Sequence, residues 1–208
     1  MIDEYRSIKA DVTKTLKVEG SKFIASACPI DSRPQAEEKL RNVRKQFFDA
    51  THHCFAYALG GERTEFRYSD AGEPSGTAGM RIFSAIESKD LSDILVIVTR
   101  YFGGKKLGVG GLGRAYFESA SQVLSLSVVI PKILGEELEL IFPYDETNGV
   151  MKKLSLYNGR IIDTMYGDDV TLRLAVRRGA VAAFISDLTE ITRGNVSVKH
   201  ISPPSSRG

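Results

Sequence analysis

Residues 94–117 read ILVIVTRYFGGKKLGVGGLGRAYF, and they set the architecture of the first half of the chain. The segment opens with β-prone apolar residues from Ile94 to Thr99, the pattern of a strand buried on both faces. A glycine-rich loop follows, then a helix expected over about residues 111–127. Its apolar stripe is read as Leu112, Tyr116, Ala120, Val123 and Leu124, leaving Ala115, Ser119, Gln122 and Leu126 off the stripe. The window holds four bases (Arg100, Lys105, Lys106, Arg114), no acid, and six glycines. Glycine lets backbone come close to a ligand. A glycine loop that opens a helix also turns unpaired N–H groups outward, with the positive end of the helix dipole behind them. This chemistry suits phosphate or another anion, with close approach expected at Gly108, Gly110 and Gly113.

Residues 108–113 formally match G-x-G-x-x-G. In a dinucleotide fold, however, the first glycine ends the strand, and here FGGKKL intervenes. The acid expected after the next strand is replaced by SVVIPK. A phosphate-binding Walker loop needs Ser or Thr after Gly-Lys, and Gly104-Lys105-Lys106-Leu107 lacks it. No cofactor is therefore expected. A plainer reading, that the glycines only allow close helix–strand packing, leaves the acid-free cluster of bases unexplained.

Upstream, residues 70–77 (DAGEPSGT) bring together two carboxylates and two hydroxyls. Two readings are open. Asp70 or Glu73 could act as a general base or metal ligand with Ser75 or Thr77 binding an anion, or the segment is a turn in which Ser75 or Thr77 caps the next helix. In Thr51-His52-His53-Cys54 a strand places His52 and Cys54 on one face and His53 on the other. One His with one Cys is too few for structural zinc, so no metal is expected and Cys54 is assigned to the core. His53 is kept as an acid–base candidate beside the anion site.

Around these segments the chain reads as a β-hairpin of residues 7–18 and 22–28 about Glu19-Gly20. Next comes a helix with a Ser32/Gln35 capping box, Pro34 in its first turn and a face of Ala36, Leu40, Val43 and Phe47. Residues 52–59 and 65–68 are strands, and Pro131 is a boundary. Beyond it the order is βαββαβ: strand 137–142, a helix with face Val150, Leu154 and Tyr157, and strands 160–166 and 170–177 about Gly167-Asp168-Asp169. A helix with face Ala180, Phe184 and Leu188 follows, then strand 196–201. That order suggests a ferredoxin-like sandwich. Residues 203–208 are expected to be disordered.

With 208 residues, a net charge of +2 and two cysteines, the chain has no disulfide framework and no overall charge to attract an anionic partner. It has no apolar run near the roughly 20 residues of a membrane span, nor the apolar core of a signal peptide. A cytoplasmic location is expected, with no membrane partner.

Three segments, THHCFAYALG (51–60), RYSDAGEPSGTAG (67–79) and VTRYFGGKKLGVGGLGRAY (98–116), resemble in order the signatures of the YigZ/Impact family. The resemblance runs along essentially the whole chain. It implies an α+β protein of two α/β sandwich domains. Residues 1–131 would form a domain like the second domain of ribosomal protein S5, with a left-handed crossover. Residues 132–202 would form a ferredoxin-like domain similar to one in elongation factor G. The RWD domain of eukaryotic Impact proteins is not expected in this length, so its partner is not carried over. For the two-domain form the resemblance implies a link to translation, RNA or the ribosome.

The expectation is therefore an accessory or regulatory factor binding RNA or a nucleotide-like anion. Arg100, Lys105, Lys106 and Arg114 would contact phosphates, and Tyr101, Phe102 or Tyr116 would stack a base. The rival is a small hydrolase or transferase using Asp70, Glu73 or a histidine on an anionic substrate.

Overall fold

The segment that is apolar on both faces takes the middle of a sheet, and the rest of the first half arranges around it. The computed structural model describes residues 4–63 and 65–201. The chain divides into two units after Lys132.

The first unit contains β1 (Glu4–Ile8), β2 (Val12–Val18), β3 (Ser21–Pro29), α1 (Arg33–Gln46), β4 (His52–Leu59), β5 (Glu65–Ser69), α2 (Gly79–Ser88), β6 (Ile94–Tyr101), α3 (Gly108–Leu126) and β7 (Val129–Ile133), whose last residue enters the second unit. The main sheet has the order β2-β3-β6-β4-β5 and is antiparallel throughout. Strand β6 is central and buried up to Arg100, as its continuous apolar run requires. Alternate residues then serve two cores. Ile94, Val96 and Val98 join Ile82, Ile86, Leu112 and Val123 on the side of α2 and α3. Leu95 and Ile97 join Ala36, Leu40 and Phe55 on the side of α1.

Three local expectations need correction. Residues 7–18 are two strands, because β1 leaves the hairpin to pair with β7. The Lys9 N–H donates to the Val128 carbonyl at 2.9 Å, a non-local bond that alternation cannot reveal. The capping box is displaced: Ser32 Oγ donates to Asp31 at 2.9 Å, and Gln35 Oε1 accepts from the Asp31 N–H at 2.8 Å. Helix α3 begins at Gly108, and it buries Ala115 and Ser119 as well as the expected stripe. It packs on α2 as well as on the strands, so its buried face is wider than one stripe.

The second unit contains β8 (Gly135–Pro143), α4 (Thr147–Leu156), β9 (Arg160–Tyr166), β10 (Asp169–Arg177), α5 (Val181–Ile191) and β11 (Ser197–Ile201). Its antiparallel sheet has the order β11-β8-β10-β9. Strict alternation sends Leu138, Leu140 and Phe142, with Val170, Leu172, Leu174 and Val176, against Val150, Leu154, Phe184 and Leu188 of the two helices. The tail expected at 203–208 lies outside the described residues. The protein is thus a mixed α/β chain of antiparallel sheets with five α-helices among the described residues.

Candidate functional site

Between β5 and α2 the chain makes the turn SDAGEPSGTAG, and its first carboxylate organises it. Asp70 accepts from the backbone N–H groups of Gly76 at 2.9 Å, Ala78 at 2.9 Å and Gly79 at 2.8 Å. The last two are donors that the start of α2 would otherwise leave unpaired. Burial pushes the Asp70 carboxyl up, but the three N–H bonds outweigh it and hold the group below its ordinary range. Asp70, expected as a possible general base, is instead a helix cap acting from upstream. Thr77 is neither cap nor anion ligand: it is buried, and its hydroxyl donates to the Pro74 carbonyl at 2.6 Å. Gly79 is required by contact, since a Cβ there would lie 2.6 Å from the Ser69 nitrogen.

Glu73 enters the interior, where its side chain is 4% exposed. Its Oε1 accepts from Arg100 Nη1 at 2.7 Å and from the Tyr116 hydroxyl at 2.8 Å. His52 Nε2 stands 3.9 Å from the other carboxylate oxygen. Arg100 Nη2 also donates to Ser21 Oγ at 3.3 Å, and the guanidinium sits over the rings of Phe23 and Phe102. The Cys54 thiol donates to the Asp70 carbonyl at 2.9 Å and lies 3.3 Å from the Tyr116 hydroxyl; burial pushes it up to about 12. Burial raises the Tyr116 hydroxyl as well.

Arg100 and Tyr116, expected on a phosphate and a base, are therefore closed off at 6% and 0% exposure. The strand explains Arg100: it continues the row of Ile94, Val96 and Val98 that faces α2 and α3. Glu73 likewise is enclosed, with Oε1 held by Arg100 and Tyr116 and Oε2 facing His52.

Beside this knot lies an open cleft of about 1230 Å³. One wall is the amino end of α3 with Lys105, Lys106 and Leu107 before it; the other is Ser75, Gly76 and the start of α2, with Leu16, Val18 and Glu19 closing one end. The β2–β3 turn reaches the glycine loop because Gly103 has no side chain: a Cβ would lie 1.9 Å from a Gly20 backbone atom. Four cations line the cleft, Arg81, Lys105, Lys106 and Arg114. Lys105 pairs with Glu19, whereas Arg81, Lys106 and Arg114 are exposed and have no ion-pair partner among the described residues. The first turn of α3 holds no acid.

Gly108 starts α3 and Gly110 is exposed near Arg114 Nη1. Gly113 is buried beside Arg81 and lines the cleft, and a Cβ there would meet Arg81 Nε at 3.4 Å. Arg81 lies outside the basic stretch of residues 94–117 that marks the cleft in the sequence. The signal was available in its place, two residues into the helix that the Asp70 turn opens.

The remaining expected residues lie elsewhere. Tyr101 donates to Asp49 at 2.6 Å, and Phe102, half exposed under Arg100, does not line the cleft. His53 faces α1, with Nδ1 3.2 Å from Thr99 Oγ1, and burial followed by Arg44 holds its pKa below the ordinary value. It does not adjoin the cleft. Among the described residues no group of three or more His, Cys, Asp or Glu is placed to hold a metal ion, and no helix is long and apolar enough to cross a membrane.

Residues 19–124 match the Impact N-terminal domain, and residues 140–195 match a domain of unknown function (DUF1949). The chain is similar to IMPACT family member YvyE of Bacillus subtilis, with 31% identity over 96% of this chain and 92% of that one. It is similar to IMPACT family member YigZ of Escherichia coli, with 32% identity over 91% of this chain and 94% of that one. A crystal structure described as that of a hypothetical protein superposes with a TM-score of 0.78 at 30% identity, covering 97% of this chain and 99% of its own.

Proposed function

The chain belongs to the IMPACT family, and from that premise we propose that it is a cytoplasmic, translation-linked accessory or regulatory factor. It holds RNA, or a nucleotide-like anion, in the basic cleft between α2 and α3. The observation that carries this reading is the trio Arg81, Lys106 and Arg114, exposed and without ion-pair partners among the described residues, around the amino end of α3. Cations of this kind neutralise phosphates and release counterions, so binding weakens as salt rises. The apolar walls at Leu16, Met80, Leu107 and Phe117 suit unstacked bases better than a duplex.

The proposal includes domains at residues 1–131, S5-domain-2-like, and 132–202, ferredoxin-like. The second assignment is supported by the element order and by the strand order β11-β8-β10-β9. No observation favours the hydrolase or transferase reading, because Asp70 and Glu73 are both held in structural bonds.

Fluorescence anisotropy of a labelled single-stranded RNA across a salt series tests the reading. For three or four phosphate contacts the log–log salt slope is about −2 to −3. An Arg81→Ala/Lys106→Ala/Arg114→Ala variant lowers affinity and flattens that slope. Binding by the variant equal to the parent at low salt overturns the proposal.

A further inference from the structure

We propose that a second cavity, between α1 and strands β4 and β5, binds a small flat organic anion: a carboxylate or phosphate carried on an aromatic body. This site is on the sheet face opposite the basic cleft and is independent of the RNA reading. The cavity measures about 300 Å³, at the lower end of small-molecule pockets and too small for a polymer. Its floor is apolar, built from Leu40, Phe55 and Leu95.

The rim is cationic. Arg41 and Arg44 stand three residues apart on α1, so both project from the same side of the helix. Neither has an ion-pair or hydrogen-bond partner among the described residues. Arg67 approaches from β5, with its guanidinium over the Phe55 ring at 5.9 Å. The one carboxylate of the lining, Glu37, is offset by two guanidiniums: it accepts from Arg33 Nε at 3.0 Å and lies 3.9 Å from Arg67 Nη1. The charge of Arg41 and Arg44 is thus left uncompensated.

Tyr57 adds a polar group to the lining. It lines the cavity, is only 3% exposed, and its hydroxyl has no hydrogen-bond partner among the described residues. The hydroxyl oxygen itself keeps contact with solvent and is open to the cavity. An oxyanion entering between the arginines would displace solvent there and accept from the hydroxyl, while the guanidinium forks pair with two of its oxygens. The ligand's apolar body would lie on Leu40, Phe55 and Leu95, a floor that inorganic phosphate cannot use.

Isothermal titration with phenyl phosphate, benzoate and inorganic phosphate at low salt tests the assignment on the full chain. Saturable binding of phenyl phosphate or benzoate is expected, with inorganic phosphate weaker. The Arg41→Ala/Arg44→Ala variant, whose substitutions are exposed, is expected to lose about tenfold in affinity at an unchanged melting temperature. An Arg81→Ala/Arg114→Ala variant should bind like the parent, which separates this site from the cleft. Amide shifts on titrating the parent should centre on Phe55, Tyr57 and Ser69, a readout that needs no variant to fold. The proposal is overturned if neither aryl anion saturates, if inorganic phosphate binds as tightly as phenyl phosphate, if the arginine variant binds undiminished, or if the shifts centre on residues 105–114.

Discussion

The Glu73–Arg100–Tyr116 knot and the α2/α3 cleft are drawn from the same signature segments, yet their charges have opposite fates. In the knot the Arg100 guanidinium meets the Glu73 carboxylate inside the protein, its Nε left without a hydrogen bond, and two phenyl rings cover it. In the cleft Lys106 and Arg114 of the same loop and helix, joined by Arg81 of α2, face solvent without ion-pair partners among the described residues. Part of a charged motif can therefore hold a loop to a sheet while its neighbours remain free to meet a ligand. Charge type alone does not separate the two roles; burial does.

The largest expected effect comes from opening the knot. Arg100→Ala strands the Glu73 carboxylate in the interior and should cost about 3–5 kcal/mol in urea unfolding. Replacing both partners, as Glu73→Leu/Arg100→Met, should cost less than either single change. An Arg100→Ala protein as stable as its parent, but deficient in RNA binding, would erase the distinction between the regions.

Asp70→Ala comes next, at about 1–3 kcal/mol, because N–H groups at the start of α2 lose their acceptor. The pH dependence has a definite sign. The folded carboxyl lies below its ordinary range, so its contribution is present above the unfolded pKa and is lost as pH falls through the folded one. The stability gap between parent and Asp70→Asn should therefore be steady near neutrality and narrow below about pH 4. A gap that widens on acidification would refute the capping role.

Within the cleft, Lys106→Ala/Arg114→Ala should leave stability within about 0.5 kcal/mol of the parent while weakening RNA binding. The smallest effect belongs to Glu19→Gln, which breaks only the exposed pair with Lys105. No measurable change in melting temperature is expected.

Much of the fold was legible where burial imposes a period. The apolar run of β6 marks a central strand, and the alternation in β8 and β10 marks a sheet with one covered face. The separation of β1 from β2 was not legible, because β1 is held by β7, more than a hundred residues away. The site was legible in outline, through glycines, bases and a helix start, but its membership was not. Arg100 could have been excluded by extending the alternation of its own strand one step further. Thr77 could not have been, since its burial depends on how the Asp70 turn and α2 pack. Arg81 belonged to a different segment and joins the cleft only through the pairing of α2 with α3.

Photo-cross-linking of a 4-thiouridine-substituted single-stranded RNA to the intact protein, with adducts located by mass spectrometry, tests the central claim most directly. Adducts should fall at Met80–Arg81 and within residues 105–117, and should be lost in the Arg81→Ala/Lys106→Ala/Arg114→Ala variant. Adducts confined to residues 133–201, or unchanged in that variant, would contradict it.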